Sequence, residues 1–175
     1  MSASCVNIDI TLYYIASVDG FIASLDDSTC WSGDSWQAYI SECTKCGHLI
    51  MGRRTYELFL SDKSVSPSSF DSLTVVSTTL KTPARPFFIA ETPLRAVEYL
   101  ESLGVSRAIL LGGATTAGTF LREGLIRHVR LDLEPMLLGT GIRMFEDLSA
   151  PYTLTLLSST ETKRGVVSNF YRVER

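Results

Sequence analysis

The sequence predicts an α/β fold with a mainly parallel central sheet, helices on both faces and an antiparallel edge. Apolar strand segments alternate with segments of helical periodicity over the first two-thirds of the 175 residues, an alternation typical of parallel strands joined by helices. From Leu125 onward the segments become strands that alternate apolar and polar residues, which predicts a C-terminal antiparallel hairpin. The length suits one domain over residues 1–175 with a sizeable core.

Apolar runs and capping residues place the elements of the first third of the chain. A run rich in Ile, Leu and Tyr predicts a strand over Val6–Ile15, Ser17–Gly20 predicts a turn, and Phe21–Ala23 returns to extended chain. Asp34 or Ser35 can cap a helix whose apolar residues recur at i, i+3, i+4 and i+7. The apolar face consists of Trp36, Tyr39, Ile40 and Cys43, and Gly47 ends the helix. The next strand ends at Met51, and a helix to about Phe59 follows it.

Turn residues and apolar runs divide the remainder of the chain in the same way. The polar segment Ser61–Ser72 predicts a surface loop. Thr92 and Pro93 suit the cap and the first residue of a helix, which Gly104 ends, and a further helix is predicted over Thr116–Glu123. The predicted strands are Leu73–Ser77, Pro86–Ala90, Arg107–Leu111, Val129 to about Pro135, Thr153–Ser159 and Val166–Val173.

The charge and the composition exclude several classes of partner and compartment. A net charge of −3 gives no reason to expect nucleic acid or an anionic membrane as a partner. No apolar run approaches the ~20 residues that span a bilayer, and no basic segment followed by an apolar stretch marks a secretory signal. We therefore expect a cytoplasmic protein with reduced thiols. Its cysteines, Cys5, Cys30, Cys43 and Cys46, offer no second pair at the spacing of a zinc site, so we expect no bound metal.

Two glycine turns each connect an apolar strand to a helix. The first runs from His48–Met51 into Gly52, and the second runs from Ala108–Leu111 into Gly112–Gly113. A helix N-terminus offers unpaired N–H groups and a partial positive charge, and glycine lets the backbone approach an anion closely. Two such turns in one small domain predict a ligand with separated phosphate groups, a description that fits a dinucleotide carrying an extra phosphate.

Five segments of the chain carry a resemblance to a known superfamily. The turn Gly52–Thr55 is common to dihydrofolate-reductase-like proteins, and Leu133–Gly141 is more typical of their riboflavin-biosynthesis branch. The chain therefore resembles the reductase domain that forms the C-terminal half of the bifunctional deaminase–reductase of riboflavin biosynthesis. This resemblance implies a dihydrofolate-reductase-like three-layer sandwich, an NADPH-dependent reductase and a homodimer. The five segments are Ser17–Ala23, Met51–Glu57, Leu111–Thr116, Phe120–Ile126 and Leu133–Gly141, the last followed by Phe145.

The resemblance also implies roles for individual residues around the cofactor. The first glycine turn would bind phosphates, with Arg53 or Arg54 facing the adenosine 2′-phosphate, and the second turn would pass beneath the pyrophosphate. Other positions would lie near the adenine ribose or line the nicotinamide region. The implied NADPH-binding residues are Gly52, Arg53, Arg54, Thr55, Leu111, Gly112, Gly113, Ala114 and Thr115 at the phosphates, Ser77 and Thr78 at the ribose, and Ala16, Ile22 and Ala23 at the nicotinamide.

Asp19 is the candidate catalytic residue. An Asp-Gly pair such as Asp19-Gly20 is common in tight turns for local conformational reasons, and the riboflavin-type family has the same pair beside its active site. As a carboxylate, Asp19 would hold a sugar hydroxyl or help to place a proton. Water is the alternative source of that proton.

The expected reaction is hydride transfer from NADPH to a small polar substrate. Dihydrofolate is not the expected substrate, because Trp36 falls where dihydrofolate reductases keep a carboxylate on the first helix, although a shift of one or two residues would reach Asp34. The resemblance implies 5-amino-6-(5-phosphoribosylamino)uracil or a close relative, and Arg143, Lys163 and Arg164 are available for a substrate phosphate. The alternatives are a related reductase of another substrate, since one fold serves many chemistries, and an inactive nucleotide-binding or dimerisation module.

Overall fold

A computed structural model of the chain describes residues 7–29, 31–62, 64–80, 87–146 and 148–174. Predicted features at Cys5, Val6, Cys30 and Pro86, and the side chain of Lys163, lie outside the described residues. The helices are α1 (Gly33–Cys46), α2 (Arg53–Ser61), α3 (Pro93–Ser102) and α4 (Ala114–Arg122). None of these helices is long and apolar enough to cross a membrane. The strands are β1 (Asp9–Ser17), β2 (Phe21–Ala23), β3 (His48–Gly52), β4 (Ser72–Val76), β5 (Phe87–Ala90), β6 (Arg107–Leu110), β7 (His128–Glu134), β8 (Ile142–Arg143), β9 (Leu154–Glu161) and β10 (Val167–Val173).

Eight strands of the described chain form one sheet in the order β5-β4-β3-β6-β1-β7-β10-β9. The strands from β5 to β7 in this order run parallel to one another. β10 pairs antiparallel with β7, and β9 pairs antiparallel with β10, so the C-terminal hairpin forms one edge of the sheet. The predicted mainly parallel sheet with an antiparallel C-terminal hairpin is confirmed. β2 coincides with the predicted extended segment Phe21–Ala23, and it pairs with β8, which was not predicted, in a separate two-stranded ribbon.

Helices cover both faces of the sheet and bury two separate apolar cores. Because successive side chains of a strand point to opposite faces, Ile10 and Leu12 of β1 pack in the core that α3 and α4 cover. Tyr13 and Ile15 pack instead in the core that α1 and α2 cover. This helix–sheet–helix arrangement is the three-layer sandwich that the resemblance implies.

The N-cap of α1 differs from the predicted one. Asp34 and Ser35 are not the cap, because Ser32 Oγ accepts the Ser35 N–H at 3.2 Å. Asp34 lies inside the first turn, where a carboxylate is favoured by the helix dipole. The other two predicted caps are confirmed: Thr92 Oγ1 accepts a backbone N–H of the first turn of α3 at 3.2 Å, and Gly47 ends α1 in the left-handed region at φ 77°.

The segment Ser61–Ser72 is more structured than the predicted surface loop. α2 runs through Ser61, and a short 3-10 helix covers Pro67–Ser69. Val65 and Phe70 are buried in the core that α1 and α2 cover, and the ring centroids of Phe70 and Phe59 lie 5.8 Å apart. Two apolar side chains in an otherwise polar segment therefore fold it back onto the protein.

Candidate functional site

The two predicted glycine turns lie against each other at one edge of the sheet. β3 and β6 are parallel neighbours, so their carboxyl ends, each followed by a helix, meet at the same edge. The N–H of Gly52 donates to the carbonyl oxygen of Gly112 at 3.3 Å, and the N–H of Gly113 donates to Thr55 Oγ1 at 3.2 Å. The N-termini of α2 and α4 are thereby held side by side.

The glycines of these turns are required for different reasons. Gly112 has φ 82°, a left-handed conformation, and a Cβ atom there would overlap the ring of Tyr14. A Cβ at Gly52 would overlap a threonine hydroxyl of α4. At Gly113, a Cβ would meet Thr55 Oγ1 at 3.8 Å, an ordinary van der Waals contact, and no other described atom within 4 Å. Packing explains Gly112 and Gly52, whereas the missing side chain of Gly113 keeps open space at a helix N-terminus.

A cavity of about 640 Å³ opens in front of both turns. Its lining includes Arg53–Thr55 of α2 and Gly113–Thr116 at the start of α4, which we call the anion region. The N-caps are Gly52 and Gly113, which have no side chain to cap a helix, so the first N–H groups lack intrahelical acceptors. Together with the partial positive charge of each N-terminus, these groups favour bound anions.

The two arginines of the anion region differ in how firmly they are engaged. Arg54 Nε and Nη2 donate to Asp27 Oδ2 at 2.9 and 2.7 Å. Asp27 is itself in the left-handed region, at φ 68°. Arg53 Nη1 lies 3.4 Å from Glu57 Oε1 in an exposed pair, and such pairs contribute little energy. Arg53 is therefore the arginine that can turn towards an anion at low cost.

Two further groups beside the anion region belong to no sequence motif. Glu146 Oε2 accepts the Thr115 hydroxyl at 3.0 Å, which places a carboxylate at the start of α4. The Tyr14 hydroxyl is buried and has no hydrogen-bond partner among the described residues. Burial, and to a smaller extent the charge of Glu146, raise the pKa of Tyr14 well above its ordinary value. The hydroxyl therefore stays protonated, as a potential donor.

The rest of the cavity is lined largely by aromatic and apolar side chains, many of them from α1 and α2. The rings of Trp36 and Tyr39 stack with a centroid distance of 5.6 Å and an interplanar angle of 18°. Trp36 is thus part of a cavity wall, at the position where dihydrofolate reductases are expected to carry an acid. We call this part the aromatic region; its lining is Ile15, Trp31, Trp36, Tyr39, Ile40, Cys43, Leu49, Leu58, Phe59 and Phe70.

Asp19 is not part of the cavity lining. Its Oδ1 accepts the Ser17 hydroxyl at 2.6 Å and the Leu138 N–H at 3.1 Å, and its Oδ2 accepts the Gly139 N–H at 2.7 Å. These hydrogen bonds, the one from Ser17 foremost, lower the pKa of Asp19. The ionised carboxylate ties the Leu138–Gly139 turn to the turn after β1, an arrangement that does not favour proton donation. A catalytic role for Asp19 stays a prediction.

Most of the predicted NADPH-binding residues line the cavity, and four do not. Ala16 and Gly112 are buried outside the lining. Ser77 Oγ accepts the N–H groups of the residues two and three positions later, at 3.2 and 3.0 Å, and Thr78 is exposed in the resulting turn. Their binding roles, like those of the lining residues, stay predictions. The predicted residues that line the cavity are Ile22, Ala23, Gly52, Arg53, Arg54, Thr55, Leu111, Gly113, Ala114 and Thr115.

Cys43 and Cys46 act as packing residues. Cys43 is buried in the core that α1 and α2 cover, and burial raises the pKa of its thiol. Burial also raises the pKa of the half-buried Cys46 thiol. In the described part of the chain, no group of three or more His, Cys, Asp or Glu side chains is placed to hold a metal ion.

The three-layer fold and its paired glycine turns define the class of the protein as dihydrofolate-reductase-like. The family model of the RibD C-terminal domain matches residues 9–168, and the chain belongs to that family. YwjB, an uncharacterized protein of Bacillus subtilis (strain 168), is 26% identical over 178 residues, which cover 92% of this chain and 96% of YwjB. The resemblance to the riboflavin-type reductase domain is therefore confirmed.

Solved structures show the same fold at low sequence identity. A pyrimidine reductase-like protein from Corynebacterium diphtheriae superposes with a TM-score of 0.78 at 15% identity, over 97% of this chain and 94% of that one. RibD from Acinetobacter baumannii superposes with a TM-score of 0.71 at 16% identity, over 98% of this chain and 59% of that one. The chain thus has the reductase-like fold of riboflavin-pathway proteins.

Proposed function

We propose that the protein is an NADPH-dependent oxidoreductase that transfers a hydride to a small-molecule substrate. The observation that carries this proposal is the meeting of two helix N-termini, neither with a side-chain cap, at one cavity. A dinucleotide with a pyrophosphate and a 2′-phosphate has separated anionic groups that suit this arrangement. Membership in the RibD C-terminal domain family supports the same function.

The residues present fit such a cofactor. The cavity of about 640 Å³ is within the range of roughly 300–1,000 Å³ that small-molecule sites occupy. Open space at Gly113 adjoins the start of α4, and the weakly engaged Arg53 suits a phosphate better than a neutral hydroxyl. The roles of Ser77 and Thr78 at the ribose, and of Ala16, Ile22 and Ala23 at the nicotinamide, are further parts of this proposal.

In this mechanism the chain binds and orients the reactants. The first N–H groups of α2 and α4 hold phosphates, and the aromatic region holds the substrate, which keeps the reacting groups close. NADPH, when bound, supplies the hydride. The proton that completes the reduction comes from water, because Asp19 is ionised and its oxygens are engaged by Ser17 and by the Leu138–Gly139 turn.

Fluorescence titration of the purified protein with NADPH and NADH tests the proposal. We expect NADPH to bind about tenfold more tightly, since a hydrogen bond to a charged group contributes about 1.5–3 kcal/mol and each 1.4 kcal/mol is tenfold in affinity. Substrate-dependent oxidation of NADPH then distinguishes a reductase from a protein that only binds the cofactor. An absence of NADPH binding at millimolar concentration would contradict the proposal and favour an interaction module.

We also propose that the protein is a homodimer that pairs through β9. All eight residues of this edge strand are exposed, and Leu154, Leu156 and Leu157 are among the large apolar side chains exposed on the surface. A long, apolar edge strand is a template for pairing with another chain. Light scattering during size-exclusion chromatography should show a dimer that Leu156→Lys converts to monomer; a monomeric wild-type protein would contradict this.

A further inference from the structure

We propose that the substrate of this reductase is a flat ring compound that carries no phosphate group. The inference rests on the proposed function, because it concerns the part of the cavity that the cofactor phosphates do not occupy. It distinguishes this chain from a reductase of the phosphorylated pyrimidine that the resemblance implies. The aromatic lining, the charge of the cavity and the positions of the nearby cations carry it.

The aromatic region suits a planar ring. Five aromatic side chains line it: Trp31, Trp36, Tyr39, Phe59 and Phe70. A pair of aromatic rings in stacked or edge-to-face contact contributes about 0.5–1.5 kcal/mol beyond the burial of its area. A planar heteroaromatic ring can make such contacts, whereas an open-chain sugar phosphate cannot. The lining therefore suits the ring of a substrate, and the charges of the cavity bear on whether that substrate carries a phosphate.

The charge of the cavity lining is unfavourable for a second anion. Of the described lysines and arginines, only Arg53 and Arg54 line the cavity, both in the first turn of α2. Carboxylates of Asp27, Asp62 and Glu146 also line it. Arg54 is already paired with Asp27 at 2.7 Å, and the proposed cofactor requires Arg53. Among the described side chains, a substrate phosphate would therefore have no cation that Asp27 and the proposed cofactor leave unpaired, which costs free energy.

Asp62 adds a negative charge at the far end of α2. It is the C-cap of this helix, eight residues beyond Arg54, and an α-helix rises about 1.5 Å per residue, so the two backbone positions are roughly 12 Å apart. Asp62 Oδ1 accepts the Ser64 N–H at 2.8 Å, and the carboxylate would repel a phosphate and offer an acceptor to an N–H group on a ring. Neutral heteroaromatic rings with N–H donors are the ligands that this end of the cavity favours.

Two of the three cations that the sequence offered for a substrate phosphate, Arg143 and Arg164, are engaged elsewhere, and the side chain of the third, Lys163, lies outside the described residues. The guanidinium carbon of Arg143 lies 5.3 Å from the centroid of the Phe21 ring, a cation–π contact. Arg164 Nε lies 3.3 Å from Asp34 Oδ2. Neither arginine lines the cavity. Within the described residues, the aromatic region therefore has no cation that would neutralise a phosphate.

Pairs of ligands that differ by one phosphate test this inference. Wild-type protein saturated with NADPH is titrated with 5-amino-6-ribosylaminouracil, uridine and riboflavin, each beside its 5′-phosphate, and binding is followed by tryptophan fluorescence. Turnover is followed as NADPH oxidation: the hydride adds to the carbon of a C=N bond, water supplies the proton to nitrogen, and NADPH becomes NADP⁺.

We expect at least one neutral ring to bind about tenfold more tightly than its phosphorylated counterpart, because the phosphate loses hydration without gaining a cationic partner. The inference is overturned if no neutral ring binds, or if every phosphorylated member binds as tightly as its neutral counterpart. An absence of NADPH binding contradicts the proposed function itself. NADPH binding together with a preference for the phosphorylated members contradicts the substrate class alone.

A matched pair of variants on α2 adds an arginine either inside or outside the cavity. Leu58 and Leu60 are 44% and 46% exposed, but only Leu58 lines the cavity. Leu58→Arg should raise the affinity for the phosphorylated members about tenfold, since a guanidinium–phosphate contact is a strong charge-assisted interaction. Leu60→Arg should leave it unchanged. Equal responses of the two variants would show that general surface charge, and not the cavity, controls phosphate binding.

Discussion

Gly113→Ala separates a glycine that the ligand requires from glycines that the fold requires. A Cβ at this position would meet Thr55 Oγ1 at 3.8 Å, and the φ of −34° is not in the left-handed region. Alanine reduces the entropy of the unfolded chain, a gain of about 0.4–1 kcal/mol, but it is a poorer N-cap than glycine. We therefore expect the free energy of unfolding to change by less than about 1 kcal/mol.

The effect of Gly113→Ala on cofactor binding should be much larger. The methyl group would occupy the open space at the start of α4, where the N–H groups are proposed to hold phosphate. Loss of one hydrogen bond to a charged group costs about 1.5–3 kcal/mol, so the NADPH affinity should fall roughly 10- to 100-fold. Isothermal titration calorimetry measures the affinity, and thermal unfolding of the same samples measures the stability.

Gly112→Ala is the matched comparison one residue earlier. Its left-handed φ of 82° costs a residue with a Cβ about 1–2 kcal/mol, and the added Cβ would also overlap the Tyr14 ring. We expect the Tm to fall by roughly 4 °C or more. The reasoning is refuted if a stable Gly113→Ala protein binds NADPH as tightly as wild type, or if Gly113→Ala lowers the Tm as much as Gly112→Ala.

Four further substitutions test individual side chains. Arg53→Gln should bring the affinities for NADPH and NADH close together, whereas Arg54→Gln should change their ratio less, because Arg54 is bound to Asp27; equal effects in titrations would contradict the distinction. Glu146→Gln removes a carboxylate from the start of α4 and should tighten NADPH binding several-fold; unchanged affinity would place the bound phosphates elsewhere. Asp19→Asn removes a stabilising contribution that is present above the ordinary pKa of 3.8 and is lost as the pH falls through the lowered folded-state pKa. The difference in urea-unfolding free energy between wild type and Asp19→Asn should therefore shrink below about pH 4, and a constant difference would contradict this.

The sheet and its C-terminal hairpin follow from the apolar pattern of the strands, and the helix ends that the sequence predicts correctly are encoded by single residue types. Gly47 and Thr92 sit at helix ends because their backbone freedom or side-chain oxygen is needed there. The N-cap of α1 is harder to choose, since Ser32, Asp34 and Ser35 are all good capping residues within four positions and hydrogen-bond geometry selects among them. Isolated apolar residues in a polar segment, such as those that fold Ser61–Ser72 onto the core, carry no periodic signal.

Some features of the candidate site could be predicted from the sequence, and others could not. The topology of parallel strands brings the two glycine turns to one edge, so their proximity follows from the predicted fold. Asp27 and Glu146 could not be predicted, because each depends on a contact with a distant segment: Asp27 with Arg54, 27 residues away, and Glu146 with Thr115, 31 residues away. The role of Tyr14 could not be predicted either, because its ring in β1 packs against Gly112, a distant residue of the second glycine turn.

The two regions of the cavity are built from different parts of the chain, and this explains why the family does not specify the substrate. The anion region consists of backbone N–H groups at two helix N-termini, so it depends on glycine at Gly52, Gly112 and Gly113 and tolerates change elsewhere. The aromatic region consists of side chains from α1, α2, β1, β3 and the segments before α1 and β4, all of which lie outside the two turns. A dihydrofolate-reductase-like domain can therefore keep its cofactor while its substrate changes. In this chain Trp36 lines the cavity at the position where the resemblance implies a carboxylate in dihydrofolate reductases, and the described arginines Arg143 and Arg164 do not line it. Both differences act on the substrate and leave the glycine turns intact.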